Sequence, residues 1–340
     1  MRKIFFLFIF HLLRQFFQNS VYYSISILYH LYREFCIFFE EKAGDFMKRT
    51  LLTPLHFGVV LIGLFLLSGI SSLLDYDTEL VINVGAYGLR LWQTILDLFS
   101  PSSIIVIWGA DDREYQMLDI FLSTYPYSFS ILFISFFAAI LISVILSYLM
   151  MLLPRNLYKL SVKVVNILDG LPDVFLVVLF QLFIVWLFKQ TDILLFNIYT
   201  TGEERIYTLP VICLSFLPVV FLMKQFLFQL QEEESKPYVE FSFSKGFKKS
   251  YTIWFHVFRN VWIHFFLHLK PIFLLMLSNL LIIEVLFNIK GFMTVLLRTA
   301  TSSAPAFFIG MLLISVPFFL VFTFGSWLLK KWLKGGEYNV

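Results

Sequence analysis

The chain has 340 residues, of which 59% are hydrophobic and only 14% charged, at a mean hydropathy of +0.82. Soluble domains are near half apolar and about a quarter charged, so a water-borne catalytic domain is excluded and lipid is the expected solvent. The formal charge of +3 is too small to name a partner, and nucleic acid is not expected among them.

In residues 1–46, Ile4 to Phe39 is rich in Phe, Tyr and Ile but interrupted by Arg14, Gln15, Gln18, Asn19, Arg33 and Glu34. Basic residues flank it on both sides, at Arg2 and Lys3 and again at Lys42, Lys48 and Arg49. That disfavours a single crossing and suits an interfacial or re-entrant segment. No small-residue cleavage site follows the first apolar run, so removal as a signal peptide is not expected. A true start at Met47 is the alternative.

The rest reads as an all-α, polytopic membrane protein with six core transmembrane helices, at about 55–74, 121–152, 161–188, 206–230, 261–288 and 306–332. A helix needs ~20 residues to cross about 30 Å of hydrocarbon, and it satisfies its own backbone there. Residues 47–119 hold the first span and an external segment, 120–334 the core with a loop at 236–260, and 335–340 a short tail. If six spans alternate, one side collects Lys48 and Arg49, then Arg155, Lys159 and Lys163, the cluster from Lys236 to Arg259, and Lys330, Lys331 and Lys334. The excess of Lys and Arg makes that side the cytoplasm. The opposite side is acidic, with Asp75, Asp77, Glu79, Asp97, Asp111, Asp112, Glu114 and Asp119 against Arg90 and Arg113. Within it, Gly88 to Phe99 carries Leu89, Trp92, Ile95, Leu96 and Phe99 at helical spacing. This is the pattern of an amphipathic helix on the outer face, one that either caps the helix ends or meets a substrate-delivering protein.

On an uninterrupted third span, Asp169 and Asp173 stand i, i+4 with Asn166 on the same stripe, and Pro172 between them frees carbonyls. A carboxylate within a span costs roughly 2.5 to 3.5 kcal/mol, so both are expected to face protein or water. They either line a path that favours a cationic group or pair with bases such as Lys163.

No H-E-x-x-H, G-x-S-x-G, C-x-x-C or G-x-x-x-x-G-K-[ST] pattern occurs, so the chain is read as a non-enzyme without its own ATP site. His264 and His268 stand i, i+4 without a third ligand nearby, and Cys36 and Cys213 sit in apolar surroundings. All four are read as packing, and no metal is expected.

The informative segment is Lys236 to Asn260. Pro237 opens a first short helix, Gly246 supplies a positive-φ residue to end it, and Tyr251, Trp254, Phe255 and Phe258 fall on one face of a second. By itself this pattern fits either a rigid knob presented to the cytosol or a basic loop resting on anionic lipid.

Tyr238, Val239, Ser242, Ser244, Lys245, Gly246, Phe247, His256, Arg259 and Asn260 carry a specific likeness. They stand where the permease subunits of oligopeptide, dipeptide and nickel ABC importers have Y-V-x-T-A-x-A-K-G-L, about a dozen residues, and then H-x-x-R-N. The chain resembles that family over about residues 120–330. Gly170-Leu-Pro172 with Phe175 is similar to its G-x-x-x-P-S-F, and Lys224 and Glu232 fit its basic and acidic positions. Ile283 to Phe287 followed by Gly291 is similar to V-E-T-V-F-x-x-P-G, and Pro305 opens the last span. Departures are Lys290 where the family has Pro, Ser303 where it has Asp, and the missing D-P-R ending.

The resemblance implies a type I ABC importer permease in a bacterial plasma membrane, its loop coupled to an ATPase and Glu284 beside an external gate; Asp169, Pro172, Asp173 and Glu284 are the candidate residues of the translocation path, although the family commonly has Ser at the place of Asp173. It also implies a second, different permease chain, two cytosolic ATPases that hold the ATP, and an external solute-binding protein. Peptides or related small solutes would be the cargo, with no cofactor in this chain. A membrane-embedded scaffold whose loop binds a non-ATPase partner is the reading from another class.

Overall fold

The structure, a computed structural model, describes residues 46–75, 81–108, 113–200 and 204–334. The expectations for residues 1–45, for Asp77, Glu79, Asp111 and Asp112, and for the tail 335–340 lie outside the described residues. The chain divides into two compact units, Met1–Ile62 and Gly63–Val340, and the described part of the first is helical.

Helix α1 runs Phe46–Ser68. Five described helices are long and apolar enough to cross a membrane, and the apolar stretch Phe57–Ser72 is shorter. Helix α1 itself is 23 residues long, the length a span needs, and stands where the first of the six spans is expected.

The acidic segment is not purely helical. Leu74–Asp75 (β1) pairs antiparallel with Val81–Ile82 (β2). Helix α2, Val84–Asp97, begins four residues before the expected Gly88 because Asn83 Oδ1 accepts the Ala86 amide at 2.9 Å. Ile105–Trp108 (β3) and Arg113–Gln116 (β4) form a second hairpin, whose β-branched run turns Val106 into the core.

The core continues as α3 (Met117–Leu152), α4 (Arg155–Asp169), α5 (Asp173–Thr191), α6 (Thr208–Glu234), α7 (Pro237–Ser244), α8 (Lys249–Thr252), a π turn (Ile253–Val257), α9 (Phe258–Leu286), α10 (Phe292–Ser302) and α11 (Ala304–Lys334). Helices α3, α5, α6, α9 and α11 supply the five spans. Apolar side chains gain little by leaving lipid for protein, so association depends on close approach. Ser135, Ala139, Ser143 and Ser147 provide it along α3, each fully buried. Ser135 and Ser147 donate across to the Val211 and Met223 carbonyls of α6, both at 3.3 Å. On the other side of α6, Phe226 sets its ring edge-on to Phe258 and Phe265 of α9, at 5.1 and 4.8 Å.

One expected element is corrected. The span anticipated at 161–188 is two helices: amphipathic α4 ends at Asp169, Gly170 caps it, and Pro172 is extended (φ −67°, ψ 139°) before α5 begins. The residue before a proline avoids the α region, and the ring removes a donor, so the helix stops instead of bending.

The break lies at mid-depth. Asp169 pairs with Lys224 of α6, which stands about 15 Å from that helix's end at Glu234. Asp173 pairs with Asn279 of α9, about 10 Å from the opposite end at Leu286. Below, the end carrying residues 236–260 is called the basic end and that carrying 75–119 the acidic end.

Candidate functional site

At the basic end, α7 and α8 form a closed hairpin. Gly246 adopts φ +83°, as its place after the first helix demands. The Gly246 amide donates to Phe243 O at 2.8 Å and the Phe247 amide to Ser242 O at 3.3 Å, a Schellman closure that satisfies the last carbonyls of α7. Val239, Ile253 and Val257 anchor the hairpin, each essentially fully buried. Ser242 and Thr252 share a buried hydroxyl–hydroxyl bond of 2.9 Å across it.

The outer surface is aromatic. Phe247, Tyr251 and Phe255 are exposed and stack in sequence, at 5.0 and 4.7 Å between centroids. His256 approaches Tyr251 at 5.9 Å, and Lys245 lies 4.4 Å over the exposed Phe241 ring. Ser244 points outward, its hydroxyl bonded to Glu240 O. The single face expected for Tyr251, Trp254, Phe255 and Phe258 is split by the π turn: Trp254 and Phe258 pair with Tyr148 and Phe226 instead. Arg259 lies in the first turn of α9, its side chain outside the described residues.

Tyr238 and Asn260, both named for the coupling loop, meet at Glu233, Tyr238 half-buried and Asn260 exposed. The Glu233 carboxylate, 7% exposed, accepts from the Tyr238 hydroxyl and from Asn260 Nδ2, both at 2.9 Å, and forms an ion pair with Lys236. Burial, and then the Glu233 carboxylate, push the Tyr238 phenol well above its ordinary pKa, so it remains a donor. Glu232, which fits the family's acidic position, is exposed; its neighbour Glu233 is buried. Helical phase identifies it, since Glu233 shares a face with the fully buried Phe226 and Leu230.

At mid-depth the expected stripe is absent. Asp169 and Asp173 belong to different helices, and Asn166 lies on the α4 side of the break. Asp169 takes Lys224 at 2.5 Å, not Lys163. Asp173 and Asn279 line a niche between α5, α6 and α9 whose other walls include Leu176, Cys213, Pro218 and Ile283. Among the described residues no three of His, Cys, Asp and Glu cluster as metal ligands.

Glu284 is enclosed. Its carboxylate accepts from Ser128 Oγ at 2.6 Å, the Thr294 amide at 2.8 Å and the Met293 amide at 3.3 Å, so it caps α10. Ser128 Oγ in turn accepts the Phe292 amide at 2.7 Å. Asn288, at φ 52°, ends α9, with the Ile289 amide donating to Glu284 O at 2.7 Å. A Cβ at Gly291 would fall 2.2 Å from Glu284 Cδ, so only glycine lets the chain pass the carboxylate.

The family described as binding-protein-dependent transport system inner membrane component matches residues 139–334. No match is found among curated proteins. The matched stretch is more than half of the chain and takes in the hairpin, both halves of the broken span and the Glu284 cap. The chain belongs to the binding-protein-dependent transport system inner membrane components, the permeases of ABC importers.

Proposed function

We propose that this permease forms half of a path for peptides or related small solutes, and that its 236–260 hairpin docks on a cytosolic ATPase. The observation that carries the docking is the hairpin's construction. Tyr238, Ser242 and Thr252 bond within the protein and hold the hairpin closed, and an exposed aromatic, lysine-flanked surface is left to meet a partner. On this reading the basic end is cytoplasmic, ATP is held by the ATPases, a second and different permease completes the path, and a solute-binding protein delivers from the acidic side.

The path is assigned to the face bearing the broken span. The Asp169 and Lys224 side chains are 29% and 49% exposed at mid-depth, where lipid contact is costly and a water-lined interface is not. Interrupted helices are tolerated there when they border protein or a cavity.

Two results test this. Gly246→Val keeps open space around the new side chain but forces a β-branched residue to φ +83°, at a cost of about 1 to 3 kcal/mol. ATPase co-purification and uptake should both fall; full retention of both means the hairpin is not the docking element. With Lys224 neutralising Asp169, Asp173 is left to favour a cationic substrate group. Asp173→Asn should reduce uptake of cationic substrates about tenfold relative to neutral ones, equivalent to ~1.4 kcal/mol, with assembly unchanged. Equal uptake across the charge panel removes the selectivity assignment.

A further inference from the structure

Helix α2 has two opposite faces. One is packed: the Tyr87 hydroxyl donates to Leu66 O at 2.8 Å, and Arg90 Nη2 donates to Ser302 O at 3.1 Å. The Leu91 and Tyr87 side chains press on Gly69, and Thr94 is fully buried. The other face carries Leu89, Trp92 and Leu96, continued by Phe99 in the turn two residues past the helix, and these are 66%, 60%, 52% and 85% exposed. At 100° per residue these four fall within about 80° of arc, with no charged residue among them.

The packed face fixes the depth of the helix. Leu66 lies in the last turn of α1, and Ser302 is two residues before Ala304, where the last span opens. A helix tied to both ends lies within about one turn, ~5 Å, of the hydrocarbon boundary. Leu66 and Ile70, next to the packed face, are themselves exposed apolar residues, so an apolar surface continues from the end of α1 onto α2.

We propose that the Leu89, Trp92, Leu96 and Phe99 face is a lipid-binding surface, seated among the headgroups and upper acyl chains of the leaflet at the acidic end. Interfacial helices have this form: an apolar stripe, a Trp at headgroup level, and an axis lying at the boundary. Arg90, the basic residue of the helix, is committed to Ser302 and leaves the stripe free of charge. The segment between the first two spans is thus held at a fixed depth by lipid on one side and protein on the other.

The test uses the full-length chain in nanodiscs of phosphatidylcholine and phosphatidylglycerol, whose two faces are equally open to reagents. A nitroxide is placed at Leu96→Cys in a Cys36→Ser background; Cys213 is buried and stays. Collisions with oxygen should exceed those with an aqueous nickel chelate, at a depth of about 5 to 10 Å below the headgroup boundary. The same label at Ser102→Cys, an exposed position beyond α2, should report water. Nickel-dominated relaxation at position 96 overturns the proposal in favour of a solvated face, and shielding from both reagents overturns it in favour of a protein partner. Trp92→Phe checks this without a label: it should remove a component of tryptophan emission quenched by lipids brominated high on the acyl chain. An unchanged quenched fraction places Trp92 outside lipid.

Discussion

Glu233→Ala is expected to uncouple the transporter while leaving the spans in place. The substitution takes the acceptor from the half-buried Tyr238 hydroxyl, at roughly 1 to 3 kcal/mol, while the exposed Asn260 amide can turn to water. That energy falls on the joint between α6 and the hairpin, so ATPase association should weaken by tenfold or more, ~1.4 kcal/mol per decade. Glu233→Gln should be milder, because one carbonyl oxygen still accepts while the Lys236 ion pair is lost. Co-purification yield and substrate-stimulated ATP hydrolysis measure both effects. A Glu233→Ala protein that keeps wild-type stimulation would show that the hairpin transmits nothing through this carboxylate. In a cycle with Tyr238→Phe the two losses should not add, since each removes the same bond.

The second large effect is expected at the acidic end and concerns folding. Glu284→Ala leaves the Ser128 hydroxyl and the Met293 and Thr294 amides without their acceptor in a fully buried site, a loss of roughly 3 to 5 kcal/mol. Gly291→Ala should produce much the same defect from the other side. Its Cβ would sit 2.3 Å from Glu284 Oε1, and three hydrogen bonds prevent the carboxylate from moving away. Thermal unfolding of the purified chain and the monodisperse fraction in detergent are the readouts, with the double variant little worse than either single. A Gly291→Ala protein of wild-type stability would mean that α10 does not depend on this cap. Loss of uptake in a well-folded Glu284→Gln protein would give the carboxylate a transport role beyond the cap.

How far the sequence foretells these sites depends on whether the cause is local. Gly246 was legible because a positive-φ closure after a proline-opened helix is written in adjacent residues. Glu284 with Gly291 was legible as a motif, yet its meaning needed Ser128, 156 positions away. The break at Gly170 was signalled by Leu171 preceding Pro172, but apolar periodicity on both sides suggested one continuous span. Nothing local could pair Asp169 with Lys224 or Asp173 with Asn279. The β3–β4 hairpin was announced by Ile105-Val-Ile-Trp108, a β-branched run too short to register beside spans of twenty residues and more.

The break also divides the mechanics of the molecule. Helix α6 has no interior proline between Glu233 and Lys224, Pro218 lying beyond, so a twist applied at the hairpin reaches Lys224 along an unbroken ladder. The same twist entering α4 meets the three residues Gly170 to Pro172, outside both helices, which act as a joint. Lys224 rides on α6 and carries Asp169 with it, while Asp173 stays with Asn279 on α9. If the path runs past the broken span as proposed, a stroke from the basic end would draw the two carboxylates apart and change the charge met there.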